Sequence, residues 1–151
     1  MSSKMARARQ EIKMFKGLRV SNWEYRLTRS IEDARMRPFS WGSHDCATWA
    51  FDLCCELGGG EDIAALWRGR YCTAIGAHRV MKRLGWDSLE AAGRELLGAP
   101  LAAVLQAGRG DLVVGGQEPT YGVCVGARVA FVAPDGLIFL PLVACSLAWR
   151  V

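Results

Sequence analysis

Cys46 stands in the run Pro38-Phe-Ser-Trp-Gly-Ser-His-Asp-Cys-Ala-Thr-Trp-Ala-Phe51. A turn at Trp41-Gly-Ser43 leads into an Asp-Cys pair at which an apolar helix opens, so the thiol falls at a helix N-terminus. Unpaired backbone N–H groups and the positive end of the helix dipole favour an anion there. A thiol so placed is of the kind whose pKa falls and whose thiolate attacks carbonyl carbon. Such a nucleophile needs a base at about 2.6–3.2 Å, or one water away. The chain has two histidines. His44 lies two residues before Cys46 in the turn, where both side chains can approach. His78 falls in a helix beside Arg79, and nothing in the sequence ties it to Cys46. Each candidate also has a plain structural reading. Cys46 then packs the first turn of a core helix, His44 satisfies backbone groups in the turn, and Asp45 caps the helix.

Other sites fare less well. His44-x-Cys46 with Cys54 or Cys55 does not match the ligand spacing of structural zinc sites. There is no phosphate-binding loop and no dinucleotide fingerprint. No cofactor or metal is therefore expected. Six cysteines without CxxC spacing, in a chain too long for a small secreted scaffold, read as reduced thiols.

The elements that must position Cys46 follow from periodicity and punctuation. Ser21-Asn-Trp-Glu24 reads as a capping box for a helix with an apolar stripe at Trp23, Leu27, Ile31 and Ala34, stopped by Pro38. The Cys46 helix runs to Gly58-Gly-Gly60. A short helix over 61–67, one from Thr73 to Leu84, and one opened by a capping box at Asp87-Ser-Leu-Glu90 complete a helical first two thirds. Then the pattern changes. Asp111–Val114, Tyr121–Gly126, Arg128–Ala133 and Leu137–Leu142 are short, rich in Val, Leu and Phe, and separated by turn residues. They read as antiparallel strands, with a last strand over Ser146–Val151. Helices followed by a strand meander predict an α+β fold, with the Cys46 helix packed on a small antiparallel sheet.

Trp41-Gly-Ser-His-Asp-Cys46, then Arg109-Gly-Asp-Leu-Val113, then Gly122-Val-Cys-Val-Gly126 together resemble the NlpC-type cell-wall cysteine peptidases, which have a papain-like fold. The likeness spans roughly residues 38–142. It is closer still to an uncharacterised branch of that fold found near tail-tip genes of phages and prophages, through Arg68-Gly-Arg-Tyr71 and Ala148-Trp-Arg-Val151. In that family an Asp-Cys pair opens the helix. A later strand of pattern His-Val-Gly-apolar-x-apolar-Gly carries the general base, and a polar residue on the next strand orients it. Matched on the two glycines, Thr120 stands at the position of the His and Tyr121 at that of the Val. Over 128–136 only Arg128 and Asp135 are polar, and neither is an evident orienter. The resemblance thus implies Cys46 at the nucleophile position with Asp45 before it, and no family base. What it implies for function is a structural tail-tip (baseplate) component of a phage or prophage, made in the bacterial cytoplasm and working in the virion. The alternative is an active cysteine peptidase or amidase on cell-wall peptides, with Cys46 as nucleophile and His44 as base.

Charge adds a possible partner surface. Lys4, Arg7, Arg9, Lys13, Lys16 and Arg19 against Glu11 give residues 1–20 a net of +5, whereas residues 21–151 hold 13 basic and 14 acidic residues. The chain therefore divides into a basic arm over 1–20 and a single α+β domain over 21–151. The arm is either a solvated tail, with Met5 or Met14 as later starts, or a segment that docks on an acidic partner. Other tail or baseplate proteins are the expected partners of the arm and of Trp41, with peptidoglycan as a further one. Without interleaved aromatics for base stacking, nucleic acid is not an expected partner. No stretch has the roughly 20 apolar residues of a membrane span. No apolar core follows the basic start, so no secretory signal peptide is expected.

Overall fold

A computed structural model describes residues 18–151. Lys4, Arg7, Arg9, Lys13 and Lys16, the greater part of the expected arm, lie outside the described residues. Helix α1 (Trp23–Ala34) buries Leu27, Ile31 and Ala34, the stripe its spacing predicts. Helix α2 (Cys46–Gly58) carries the thiol on its first residue and ends where Gly59 turns left-handed at φ +64°. A 3₁₀ turn at Ile63–Leu66 leads to α3 (Ala74–Arg83) and α4 (Leu89–Leu97). The strands are β1 (Leu112–Gly115), β2 (Thr120–Cys124), β3 (Arg128–Ala133), β4 (Gly136–Pro141) and β5 (Cys145–Trp149).

The fold is α+β with a five-stranded sheet in the order β4-β3-β2-β1-β5, every neighbouring pair antiparallel. The meander forms as predicted, and β5 crosses over to pair with β1 on the far side. Alternation along the strands sorts the core into two layers. Leu112, Val114, Tyr121, Val123, Ala130 and Trp149 face the helices, where Phe51, Cys54 and Leu57 of α2 meet them. Val113, Cys124, Val129, Phe131 and Ala148 face the other way and are covered by Leu101, Val104, Ala107 and Leu140. Both faces of β1 are thus buried, which explains its unbroken apolar run. Among the described residues, no helix is long and apolar enough to cross a membrane.

Two expected caps are corrected. At α1 the N-cap is Asn22, not Ser21, and its side chain makes no capping bond. Its Oδ1 accepts instead from Arg26 Nε at 2.9 Å, a charge-assisted bond that outcompetes the cap. At α4 the cap is Ser88, whose Oγ accepts from Ala91 N at 3.0 Å, and not Asp87. Arg19 is corrected as well. Expected in a partner-binding arm, it is part of the fold. Its Nε donates to Val151 O (3.0 Å), one terminal nitrogen to Arg109 O (2.6 Å) and the other to Asp111 Oδ1 (3.0 Å). Its guanidinium also lies 4.3 Å from the Trp23 ring centroid. Asp111 is 1% exposed, and a carboxylate so buried needs a cation beside it.

Candidate functional site

The turn before α2 is fixed by its backbone. Ser40 and His44 exchange both hydrogen bonds, N to O at 3.0 and 2.8 Å, and Gly42 takes φ +84°. Asp45 then accepts three hydrogen bonds. Its Oδ1 takes Thr48 N at 2.8 Å, the helix cap predicted for it. Its Oδ2 takes Gly42 N at 2.8 Å and Tyr71 OH at 2.6 Å. The carboxylate is buried and fully engaged, so its work is to hold the turn.

The Arg68–Tyr71 run locks against this turn. Gly69 N donates to Gly42 O at 2.9 Å. Arg68 spans Asp62, at 2.7 and 2.9 Å, and Asp52 of α2. A Cβ at Gly42 would collide with Tyr71 O, so the glycine is required by both its φ and its neighbour. Burial, followed by hydrogen bonding to Asp45, pushes the Tyr71 phenol well up.

Cys46 is half-buried at the head of α2. The Thr120 side chain and the backbone N–H groups of Tyr121 and Ala47 lie near its sulfur. Thr120, the first residue of β2, approaches the thiol from the sheet side. These donors favour the thiolate, but burial outweighs them and the Asp45 charge adds to burial, so the thiol is pushed up. This overturns the lowered pKa expected from the helix N-terminus.

His44 is not joined to Cys46. It is 2% exposed, and its Nε2 has no hydrogen-bond partner. Burial, then the Arg37 charge, lowers its pKa against the pull of Asp45. The imidazole is therefore neutral, buried and unconnected to the sulfur.

No pattern in the sequence marks the cavity beside Cys46. About 250 Å³ is enclosed by α2, α3, α4 and the start of β2, with Phe51, Trp67, Met81, Trp86 and Tyr121 among its walls. Trp41 lines it too, 38% exposed and edge-on to Phe39 at 4.6 Å between centroids. His78 also reaches the cavity from α3, although the sequence did not tie it to Cys46. No hydrogen bond joins His78 to the sulfur. The α3 periodicity was the available signal, since its apolar positions Ala77, Val80 and Met81 needed something to cover.

Among the described residues, no three His, Cys, Asp or Glu side chains are grouped to hold a metal ion. All six cysteines are free thiols. The site thus brings together a thiol pushed up by burial, the Thr120 side chain near it and an apolar cavity alongside. No curated protein matches the chain. The family model for a domain of unknown function, DUF6950, matches residues 18–151, the whole described fold, and the chain belongs to that family.

Proposed function

We propose that the chain is a non-catalytic component built on a papain-like NlpC-type framework whose general base has been lost. The observation that carries this reading is the placement of Thr120, the first residue of β2, on the side of the sheet near the Cys46 thiol. A threonine hydroxyl does not take a proton from a thiol at neutral pH, and loss of general-base help forfeits about 10²- to 10⁴-fold in rate. Burial compounds the loss by keeping the thiol neutral. The setting rests on the resemblance and is a phage or prophage tail tip or baseplate, with other tail proteins as partners. The two runs that carry that resemblance both serve packing. Arg68–Tyr71 holds the turn at Gly42. In Ala148–Val151, Trp149 donates to Gly98 O at 3.0 Å and Val151 N to Asp111 Oδ1 at 3.0 Å. The alternative, a peptidase using His44, lacks support, since no hydrogen bond joins His44 to the sulfur and its Nε2 has no partner.

The test pairs two assays. Purified full-length chain is incubated with peptidoglycan, and released peptides are read by mass spectrometry. Particles induced from the source strain are analysed for the chain in parallel. The expected result is no Cys46-dependent cleavage and the chain present in particles. Cleavage abolished by Cys46→Ala would overturn the non-catalytic reading, and absence from particles would overturn the setting.

A further inference from the structure

A second cleft, between α1 and the β3–β4 hairpin, shares no lining residue with the cavity at Cys46. It encloses about 390 Å³. Leu27, Ile31, Val125 and Phe139 give it an apolar floor, while the exposed Arg35, Arg109 and Arg128 stand around it. Arg35 is partly neutralised by Glu32 at 3.4 Å. Among the described residues, Arg109 and Arg128 have no carboxylate partner. Their guanidinium groups lie over rings instead, Arg109 at 5.9 Å from the Trp23 centroid and Arg128 at 5.0 Å from that of Phe139. A guanidinium held by its face keeps its N–H edge available and already oriented.

The attachment of the N-terminal residues adds to this. The described chain begins at Leu18, and Arg19 donates to Arg109 O at 2.6 Å. Arg19 thus stands beside Arg109 on the rim of the cleft, and residues 1–17 precede it in the sequence. They carry five basic residues against Glu11, a net of +4. This basic charge, with the arginines of the rim, favours an acidic partner.

We propose that this cleft docks an acidic peptide segment of a partner protein, with carboxylates on Arg109 and Arg128 and one apolar side chain on the floor. Carboxylates match guanidinium forks bidentately, and the charge complementarity steers the encounter. The enclosed, apolar-floored shape suits a side chain flanked by carboxylates. It is not the long open groove that tracks a nucleic-acid backbone. The inference holds whether or not Cys46 reacts.

Fluorescence anisotropy on the full chain tests it with three labelled probes. The first is the peptide Glu-Asp-Phe-Glu-Asp-Leu-Glu, the second is the same peptide with Ser for Phe and Leu, and the third is a single-stranded oligodeoxynucleotide of equal charge. The first peptide should bind saturably, and the Arg109→Glu, Arg128→Glu double variant should weaken it by about a hundredfold. The Ser peptide should bind about tenfold more weakly than the first. Both arginines are exposed, so the double variant should unfold at the wild-type temperature. Should it not, the single Arg109→Gln and Arg128→Gln variants must each weaken the first peptide. Unchanged binding in the variants, no saturable peptide binding at low salt, or tighter binding of the oligonucleotide would each overturn the proposal.

Discussion

Replacing Asp45 by alanine tests whether the residue before the thiol holds the turn or serves the thiol. Its carboxylate is 1% exposed and accepts from Gly42 N, Thr48 N and Tyr71 OH. Loss of the cap costs about 1 kcal/mol, and each buried donor left unpaired costs about 1–3 kcal/mol. Taking about 1.5 kcal/mol for each backbone N–H and about 1 kcal/mol for the half-buried phenol, Asp45→Ala should cost about 4 kcal/mol. For a chain of this size that lowers Tm by about 12 °C. Asp45→Asn keeps one acceptor and should cost about half as much. Urea unfolding followed by tryptophan fluorescence gives both numbers, and combining Asp45→Ala with Tyr71→Phe should show coupling of about 1 kcal/mol. A loss under about 1 kcal/mol for Asp45→Ala would refute the reasoning. The carboxylate would then be free to act on Cys46.

Three further outcomes are expected. Arg19→Ala leaves the buried Asp111 with only the more distant Arg150, at 3.9 Å, and should cost about 3 kcal/mol in urea unfolding; an unchanged midpoint would show that Arg19 does not hold Asp111. Burial pushes the phenols of Tyr71 and Tyr121 above their ordinary value of 10.0. A raised folded-state pKa gives stability that is whole below the unfolded value and lost as pH rises beyond it. Urea midpoints should therefore hold to about pH 10 and then fall, and Tyr71→Phe should flatten the fall. Thr120→His places an imidazole against the sulfur and should raise Cys46 alkylation at neutral pH by at least about tenfold; no change would show that position 120 does not address the thiol.

The sequence revealed most where a local signal was strong and had no competitor. Asp45 as the cap of α2, its stop at the glycines, and β3 over Arg128–Ala133 follow from side chains acting on their own backbone. The cap of α1 was misread because Asn22 has a second option in Arg26, and only the folded geometry decides between them. Arg19 sits in a basic run, and the residue that sets it apart, Asp111, lies 92 positions along the chain. Nothing local distinguishes it from Lys16. The cavity at Cys46 needs α2, α3 and α4 to leave a gap, which no periodicity encodes. The thiol itself was a contest of magnitudes. A helix N-terminus offers an anion about 0.3–1 kcal/mol, rising to about 2 in partly buried sites. Desolvating a charged group costs more than that, and here desolvation prevails.

The most direct test of that contest is the pH dependence of Cys46 alkylation in the folded full-length chain, each cysteine followed by peptide mass from about pH 6 to about pH 10. With burial dominant and no base in contact, Cys46 should react slowly at neutral pH, and its rate should still be climbing as pH passes the ordinary thiol value of 9.0. Rapid, selective alkylation of Cys46 near pH 6, levelling off below neutrality, would reveal a thiolate with a working base and contradict the account of a retired nucleophile.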